Sequence, residues 1–327
     1  MDVNEFIFPF NKLNNVEFSQ LNSINVDSHD YSNELMPVNN LYSYKFDVAR
    51  QSEGRYNIDD DFELLFSDMS NNSLNKCKYY IDEMPKLSLN SFSIYNHNIN
   101  SVVKHFDEFI NYINFNCENK FNVLTLCETK LIDDFVNMFE IDGYSMFYNN
   151  TTRKSGGVCM YVSNKYSKTF IRNYLTLNKT YIQSLFVEIQ HNEQNIIVGV
   201  IYRRPGTDLD SFYTNMNNIL SIVKNENKLV YITGDFNIDI LKFNDSERIL
   251  EFVNLFMSNN LFCTVVYPTR VSNTSTTLID NIWTNDYNSL INSGIVYSQI
   301  SDHFPIFSVF ETNIIANENE DLKTINY

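Results

Sequence analysis

The sequence predicts a four-layer α/β sandwich, in which two packed mixed or antiparallel β-sheets lie between outer helices. Its 327 residues, 43% hydrophobic and 15% aromatic, are enough to bury a large core. From about residue 91, short apolar runs alternate with amphipathic helical patterns. Two halves also repeat one plan, in which a helix is followed by a buried strand and then a carboxylate. Face-to-face packing of the sheets would place both carboxylates at one rim.

The individual elements follow from hydrophobic periodicity. Alternating or short buried apolar runs predict strands at 92–99, 123–127, 157–163, 181–190, 195–202, 229–233, 263–267, 278–284, 295–299 and 306–311. Apolar residues at helical spacing predict helices at 101–115, 209–223 and 246–257. Residues 1–75 lack sustained periodicity, apart from a short helix expected at 62–69.

Charge separates the chain into three parts. The net charge is −16; residues 1–90 carry 7 basic and 15 acidic side chains, and residues 91–311 carry 16 and 22. We therefore expect an acidic, Asn-rich segment at 1–87 that is mostly loop or disordered, a folded domain at 88–311, and an acidic tail at 312–327. The folded domain is only mildly acidic, which leaves room for a local basic patch that binds phosphates.

Several classes of protein are excluded by composition. The five cysteines form no C-x-x-C pair, which disfavours a zinc site or a disulfide framework and favours an intracellular, reducing compartment. The N-terminus lacks the basic region of a signal peptide. No apolar run approaches about 18 residues, so neither a transmembrane helix nor a membrane partner is expected.

Polar residues at the ends of the predicted strands are the candidates for chemistry. Asn98 and Asn100 follow the first strand, although either one could simply cap the next helix. Glu128 follows the strand VLTLC, where an exposed glutamate in the first turn of a helix is the plainer interpretation. Tyr202 and the arginines at 203 and 204 end another strand, either as solvated residues or as phosphate donors.

The second half carries the more specific signals. Gly234 ends a buried strand, and Asp235 and Asn237 follow with the same orientation, either as an Asx-type turn or as functional groups. Asp280 lies inside an apolar strand, where an unpaired carboxylate would be costly, so it needs a cationic or donor partner. His303, preceded by an aspartate, is the best candidate for that partner and for acid–base chemistry.

Taken together, these residues resemble the endonuclease/exonuclease/phosphatase superfamily. The order is Asn-x-Asn, Glu, Tyr-Arg, Gly-Asp-Phe-Asn, Ile-Asp and Ser-Asp-His. The stretches SGGVCMYV, IYRRP, GDFNIDI, TLIDNIWTN and SDHFPI are similar to the endonuclease domain of LINE-type (non-LTR) retrotransposons. The resemblance covers about residues 88–311 and implies a DNase-like fold.

The resemblance also implies roles for the candidate residues. The metal site, for Mg²⁺ with Mn²⁺ as a substitute, would be formed by Glu128, Asn100 and Asp302. The catalytic residues would be His303, Asp235, Asn237, Asp280, Tyr202 and Asn98. Asp280 would fix the tautomer of His303, and Asp235 would orient or deprotonate the attacking water. Hard oxygen ligands suit Mg²⁺, and an Asp–His pair supplies an oriented base, so the set is chemically consistent.

The expected function is that of a Mg²⁺-dependent phosphodiester hydrolase. The main hypothesis is a DNA endonuclease that nicks one strand and leaves 3′-hydroxyl and 5′-phosphate ends, with Arg203, Arg204 and Arg270 binding the substrate. The resemblance further implies action in the nucleus and a reverse transcriptase partner domain that this chain lacks. The alternatives are an RNA, nucleotide or phosphoinositide phosphoesterase of the same fold, and a non-catalytic remnant that acts as an interaction module.

Overall fold

The computed structural model describes residues 76–80, 86–88, 90–116, 120–150, 155–191, 194–243, 245–272 and 275–312. The helix expected at 62–69, most of the segment 1–87 and nearly all of the tail 312–327 lie outside the described residues. Among the described residues, no helix is long and apolar enough to cross a membrane. The described cysteines, at positions 77, 127, 159 and 263, are buried.

The described part of the chain contains fifteen strands and three α-helices. The strands are β1 (Cys77–Tyr80), β2 (Ser91–Asn98), β3 (Val123–Cys127), β4 (Tyr144–Asn149), β5 (Val158–Ser163), β6 (Thr169–Ile171), β7 (Ile182–His191), β8 (Gln194–Arg203), β9 (Leu229–Asp235), β10 (Phe262–Cys263), β11 (Arg270–Val271), β12 (Thr276–Thr277), β13 (Asp280–Thr284), β14 (Leu290–Val296) and β15 (Ile306–Glu311). The helices are α1 (Val102–Asn116), α2 (Leu209–Asn225) and α3 (Glu247–Met257), with 3-10 helices at Asp133–Phe139, Asn173–Leu175 and Ile240–Lys242.

The strands form two large sheets. The first has the order β1-β14-β15-β2-β3-β5-β4, the second has the order β10-β13-β9-β8-β7-β6, and β11 and β12 form a separate hairpin. The two large sheets contact each other through pairs such as β2 with β9 and β3 with β8. Helix α1 packs on the outer side of the first sheet, and α3 covers the second, where Phe252 and Phe256 contact Trp283. The predicted four-layer sandwich is therefore confirmed.

Residue alternation in the central strands explains the layering. All eight residues of β2 are buried, because that strand has a core on each face. Phe92 and Ile94 lie in the core between the sheets, whereas Tyr95 lies in the core beneath α1. By the same period of two, Asn98 shares the inner face with Phe92 and Ile94. The polar end of β2 is thereby directed towards the second sheet.

The differences from the predicted elements have physical causes. Strand β4 was not predicted, because it is a half-exposed edge strand without a clear apolar pattern. The strand expected at 295–299 instead spans Leu290–Val296, whose polar interior includes the buried Ser293 hydroxyl donating to the carbonyl of Thr264 at 2.7 Å. Strand β1 pairs with β14 and precedes the domain start expected at residue 88. These strands depend on distant partners that local patterns do not reveal.

Strand direction brings the polar strand ends to one rim. Strands β2 and β3 are parallel and end together, at Asn98 and Cys127. Strands β8 and β9 are also parallel, with Tyr202 opposite Asp235. Strand β13 runs antiparallel to β9 and starts with Asp280 opposite Asp235. The carboxyl ends of four strands and the start of β13 consequently form a single polar rim, as the sequence predicted.

Candidate active site

Asn98 joins the two sheets at this rim. Its side-chain amide donates to Oε1 of Glu128 at 3.1 Å and to Oδ2 of Asp235 at 2.8 Å. Glu128 comes from the first sheet and Asp235 from the second, so one amide links the two carboxylates of the repeated plan. The side-chain oxygen of Asn98 accepts from the backbone N–H of Asn100 at 3.2 Å, which fixes the orientation of the amide.

Asp235 accepts three hydrogen bonds, one from Asn98 and two from Asn237. It is fully buried, and Asn237 donates to it twice, from its backbone N–H to Oδ1 at 2.9 Å and from its side chain to Oδ2 at 3.0 Å. The Asx-type turn and the candidate functional groups therefore belong to one structure. The neighbouring Gly234 has φ of +148°, a conformation that L side chains rarely adopt. It lets β9 approach β8 closely just before the carboxylate.

Asp280 has the partners that its buried position requires. Its carboxylate lies 2.9 and 3.1 Å from Nδ1 of His303 and accepts from the hydroxyl of Thr269 at 2.7 Å. Both Asp280 and His303 are almost completely buried. Carboxylate contact at Nδ1 places a proton on that nitrogen, which leaves Nε2 for other partners.

Asp235, Asp280 and His303 form a tightly coupled cluster, with one ligand atom of each within 4.8 Å of the others. Burial, together with the charge of Asp280, raises the pKa of Asp235 to about 7. Burial alone would lower the pKa of His303, but the carboxylates of Asp280 and Asp235 outweigh it and raise that pKa to about 9. The two carboxylates therefore favour the protonated form of His303, and burial beside Asp280 favours the protonated form of Asp235.

Strained backbone is concentrated at the rim. Of seven described non-glycine residues with positive φ, five lie here: Asn100, Ser101, Glu128, Lys130 and Asn237. Backbone hydrogen bonds hold the Glu128 loop, including Ser101 N–H to the carbonyl of Glu128 at 2.8 Å and Lys130 N–H to that of Gly156 at 2.8 Å. Such conformations persist only where the surroundings determine them, and they are common at functional sites.

The donor set at Glu128 fits a divalent cation. The ammonium of Lys130 contacts the side-chain oxygen of Asn100 and lies 3.6 Å from Oε2 of Glu128. Glu128 and Asn100 thus present two oxygen ligands beside one positive charge, and oxygen is the ligand type that Mg²⁺ binds. Asp302, the third predicted ligand, forms an ion pair with Arg270 at 2.6 Å.

The other predicted site residues have separate environments. Tyr202 is buried, and burial together with the nearby charges of Glu128 and Asp235 raises its pKa. Arg204 is exposed. Arg270 is partly exposed beside Asp302. The structure therefore brings together Asn98, Asn100, Glu128, Tyr202, Asp235, Asn237, Asp280 and His303, whereas contact of Arg204 and Arg270 with substrate remains a prediction.

Arg203 faces the protein rather than the solvent. Its guanidinium is buried, donates to the carbonyls of Asn237 at 3.2 Å and Thr207 at 2.6 Å, and lies over the ring of Phe212. Its own carbonyl accepts from the side chain of Asn237 at 2.8 Å. Arg203 thus binds both the backbone carbonyl and the side chain of Asn237, the residue that orients Asp235.

We expect Arg203→Lys to lower kcat by about tenfold to 100-fold with little change in KM, because a single ammonium cannot reach both carbonyls and Asp235 would lose its alignment. Steady-state kinetics with a phosphodiester substrate would measure this. Arg248→Lys, which changes an exposed ion-paired arginine on α3, is the matched control and should leave both constants unchanged. A rise in KM at constant kcat would contradict the positioning role.

Sequence reasoning missed several supporting residues. Lys130 contacts the Glu128 and Asn100 side chains, and Thr269 binds Asp280. His97 is completely buried, with Nε2 at 3.1 Å from the carbonyl of His303, and Ser301 donates to the carbonyl of Asn98 at 2.6 Å. The signal for Lys130, Ser301 and His97 was their position beside a predicted site residue. Nothing local indicated Thr269.

The stability of the protein should depend on pH through His97. Burial lowers the pKa of His97 from 6.5 to about 3. Between these values the unfolded state binds the extra proton, so the free energy of unfolding should fall as the pH decreases from 6.5, by up to about 1.4 kcal/mol per pH unit. Urea denaturation at pH 7 and pH 5 would measure this. His97→Gln keeps a donor and should show a shallower dependence; an identical slope in both proteins would contradict the assignment.

Comparison with protein families gives a match to part of the chain. A family model of the exonuclease/endonuclease/phosphatase type, described as endonuclease-reverse transcriptase, matches residues 196–307. The resemblance to the endonuclease/exonuclease/phosphatase superfamily is therefore confirmed. The matched range runs from β8 to β15 and contains Tyr202, Asp235, Asn237, Asp280 and His303. No curated protein matches the chain.

Solved structures share the endonuclease/exonuclease/phosphatase fold. The endonuclease domain of TRAS1, a telomere-specific non-LTR retrotransposon, is 12% identical with a TM-score of 0.54, over 68% of this chain and 99% of that one. The 3′ phosphatase NExo from Neisseria, bound to product DNA hairpin, is 17% identical with a TM-score of 0.51, over 68% and 100%. The 3′-5′ exonuclease NExo from Neisseria meningitidis is 15% identical with a TM-score of 0.52, over the same shares.

Proposed function

We propose that the chain is a Mg²⁺-dependent phosphodiester hydrolase, and specifically a DNA endonuclease that nicks one strand to leave 3′-hydroxyl and 5′-phosphate ends. The observation that carries the proposal is the convergence of Glu128, Asp235 and the Asp280–His303 pair, joined by Asn98, at one rim. The family match and the fold shared with TRAS1 and the DNA-bound NExo support a nucleic-acid substrate. Residues 88–311, preceded by β1, are proposed to form the catalytic domain.

In this proposal the residues of the chain divide the work of hydrolysis. Asp235, aligned by Asn98 and Asn237, orients the attacking water and accepts its proton as the water oxygen bonds to phosphorus. The bond from phosphorus to the 3′ oxygen breaks, and that oxygen takes a proton from solvent to become the 3′-hydroxyl. His303, whose Nδ1 is held by Asp280, presents Nε2 to a phosphate oxygen. Tyr202 contributes its hydroxyl to the same phosphate. These donors are already oriented, so little reorganisation is needed as negative charge develops.

The metal is proposed to bind at Glu128 and Asn100, with Asp302 completing the site. A bound Mg²⁺, or Mn²⁺ in its place, would neutralise charge on the phosphate and on the leaving oxygen. The ammonium of Lys130, which contacts Asn100 and lies near Glu128, would have to move aside.

Nicking of supercoiled plasmid is the direct test. We expect conversion to the open circle in Mg²⁺ or Mn²⁺ and none in EDTA. Low salt is needed, because binding of phosphates by a protein of net charge −16 is easily screened. DNA ligase should reseal the nick without further treatment if the ends are 3′-hydroxyl and 5′-phosphate. Nicking that persists in EDTA, or ends that cannot be resealed, would contradict the proposal.

A second candidate function rests on the net negative charge of residues 91–311. An acidic domain favours a substrate that presents fewer phosphates to the protein than a long DNA duplex does, such as an RNA, a nucleotide or an inositol phosphate. Assays of these substrates beside the plasmid, under equal conditions, would separate the two functions. Faster turnover of a small phosphoester would replace the DNA assignment while keeping the chemistry.

A further inference from the structure

A cavity of about 350 Å³ opens beside the polar rim. We call it the Arg204 pocket; its walls include Asn178, Lys179, Tyr181, Gln183, Tyr202 and Arg204. None of the residues that line it is a carboxylate, although the surrounding residues 91–311 have a net negative charge. Two cations and several amide and hydroxyl groups thus surround a space of the size that takes a small ligand.

The walls of the Arg204 pocket are held by backbone hydrogen bonds. Residues 178–183 form a tight turn, closed by the bridge between Asn178 and Gln183 and by Lys179 N–H donating to the carbonyl of Ile182 at 2.9 Å. The N–H of Arg204 donates to the carbonyl of Tyr181 at 3.1 Å, which joins this turn to the end of β8. These hydrogen bonds fix the pocket wall that the turn and the end of β8 form.

The two cations differ in their availability. Lys179 donates to the side-chain oxygen of Asn215 at 2.6 Å, and the same Asn215 donates to the hydroxyl of Tyr181 at 2.9 Å. The guanidinium of the exposed Arg204 has no hydrogen bond or ion pair within the described part of the chain. Arg204 is therefore free to bind an anion, with an oriented lysine and an aromatic ring nearby.

Tyr202 connects the pocket to the catalytic centre. It lines the pocket, it pairs in register with Asp235, and its hydroxyl interacts with Glu128. A polymer whose scissile phosphate lies at the rim would therefore place an adjacent unit in the pocket. The chemistry of the walls suits a unit that combines an anionic phosphate with a flat, polar-edged ring.

We propose that the Arg204 pocket holds one nucleotide unit of the cleaved DNA strand, next to the scissile phosphate. The phosphate of this unit contacts Arg204 and Lys179, and its base or sugar packs on Tyr181. This inference rests on the proposed function, since it places the DNA strand through the same rim. It places two cations on the path of the strand, in a domain whose net charge is negative.

Binding of a fluorescent oligonucleotide, measured by anisotropy in EDTA, tests the pocket without cleavage. Arg204→Ala and Lys179→Ala should each weaken binding by about fivefold or more. Each should also lower the slope of log K against log salt by about 0.7 to 0.9 for every phosphate that the variant no longer neutralises. Tyr181→Leu should weaken binding by a similar factor without changing that slope, because stacking is not electrostatic.

The matched control is Lys224→Ala. Arg204 precedes the first turn of α2, and Lys224 lies in the last turn of that helix. The first and last turns are about 20 Å apart along the helix axis. We expect wild-type binding and an unchanged salt slope for this variant. Equal weakening by Lys224→Ala and Arg204→Ala would overturn the pocket, because it would show a general charge effect. An Arg204→Ala protein that binds like the wild type would overturn it as well.

A small phosphodiester separates failure of the pocket from failure of the proposed function. Bis(p-nitrophenyl) phosphate has no flanking nucleotide, so Arg204→Ala should lose a smaller factor in rate on this compound than on plasmid. If the wild type hydrolyses neither this compound nor plasmid, the proposed function fails, and the anisotropy measurement still decides the pocket. If Arg204→Ala loses the same factor in rate on both substrates, Arg204 acts in catalysis and the pocket assignment is overturned.

Discussion

Replacing His303 with asparagine should reduce phosphodiester cleavage by roughly 10²–10⁴-fold, the usual contribution of a positioned acid–base group. The amide nitrogen of asparagine can take the place of Nδ1 and donate to Asp280, which is 1% exposed and would otherwise lose a buried partner. The substitution therefore removes Nε2 and the positive charge while the hydrogen bond remains. Nicking rates and thermal unfolding, measured together, would separate a chemical defect from a structural one.

His105→Asn is the control for this prediction. His105 lies on α1, paired with Glu108 at 2.9 Å, and takes no part in the polar rim. Its replacement should leave nicking unchanged. A His303→Asn protein that nicks within about threefold of the wild-type rate would contradict a role in proton transfer or phosphate binding, since loss of a catalytic acid–base group has a far larger effect.

The largest effect on stability is expected from Gly234→Ala. At φ of +148°, a β-carbon on residue 234 would lie 1.8 Å from the carbonyl oxygen of Ile201, so β9 would have to separate from β8. Backbone strain and overpacking together should lower the free energy of unfolding by about 3 kcal/mol or more. Urea denaturation would measure this, and the activity should fall as well, because Asp235 is the next residue.

Gly206→Ala is the matched control for Gly234→Ala. Gly206 also has positive φ, at +69°, but a β-carbon there would meet no atom within 4 Å. Only the conformational cost of about 1–2 kcal/mol should remain. Equal destabilisation by the two substitutions would show that the close approach of β9 to β8 is not what Gly234 provides.

The central strands and all three helices were predictable from the sequence, because their buried residues form short apolar runs or recur with the period of a strand or a helix. Helix α2 spans Leu209–Asn225 where 209–223 was predicted, and β3 spans Val123–Cys127 as predicted. The weakly patterned edge strands β1, β4 and β6 were not predictable. An edge strand has one neighbour and a partly exposed face, so its sequence carries little of the apolar signal that marks a central strand.

The sequence by itself determined which groups the protein has for chemistry. A carboxylate inside the apolar strand at Asp280 demanded a partner, and His303 was the best candidate within the chain. The repeated plan of buried strand followed by acid marked Glu128 and Asp235. These signals are local, since each is a polar residue at a position where the apolar pattern would otherwise continue.

The tertiary structure alone decided how those groups are used. Neighbouring arginines in the sequence have different environments: Arg203 is buried against the Asn237 loop, whereas Arg204 lines an open pocket. Lys130 contacts Asn100, and Thr269 binds Asp280, only in the folded protein. The physical reason is that charge pairing, burial and strand register depend on residues far apart in the chain, and only folding brings these within hydrogen-bond distance.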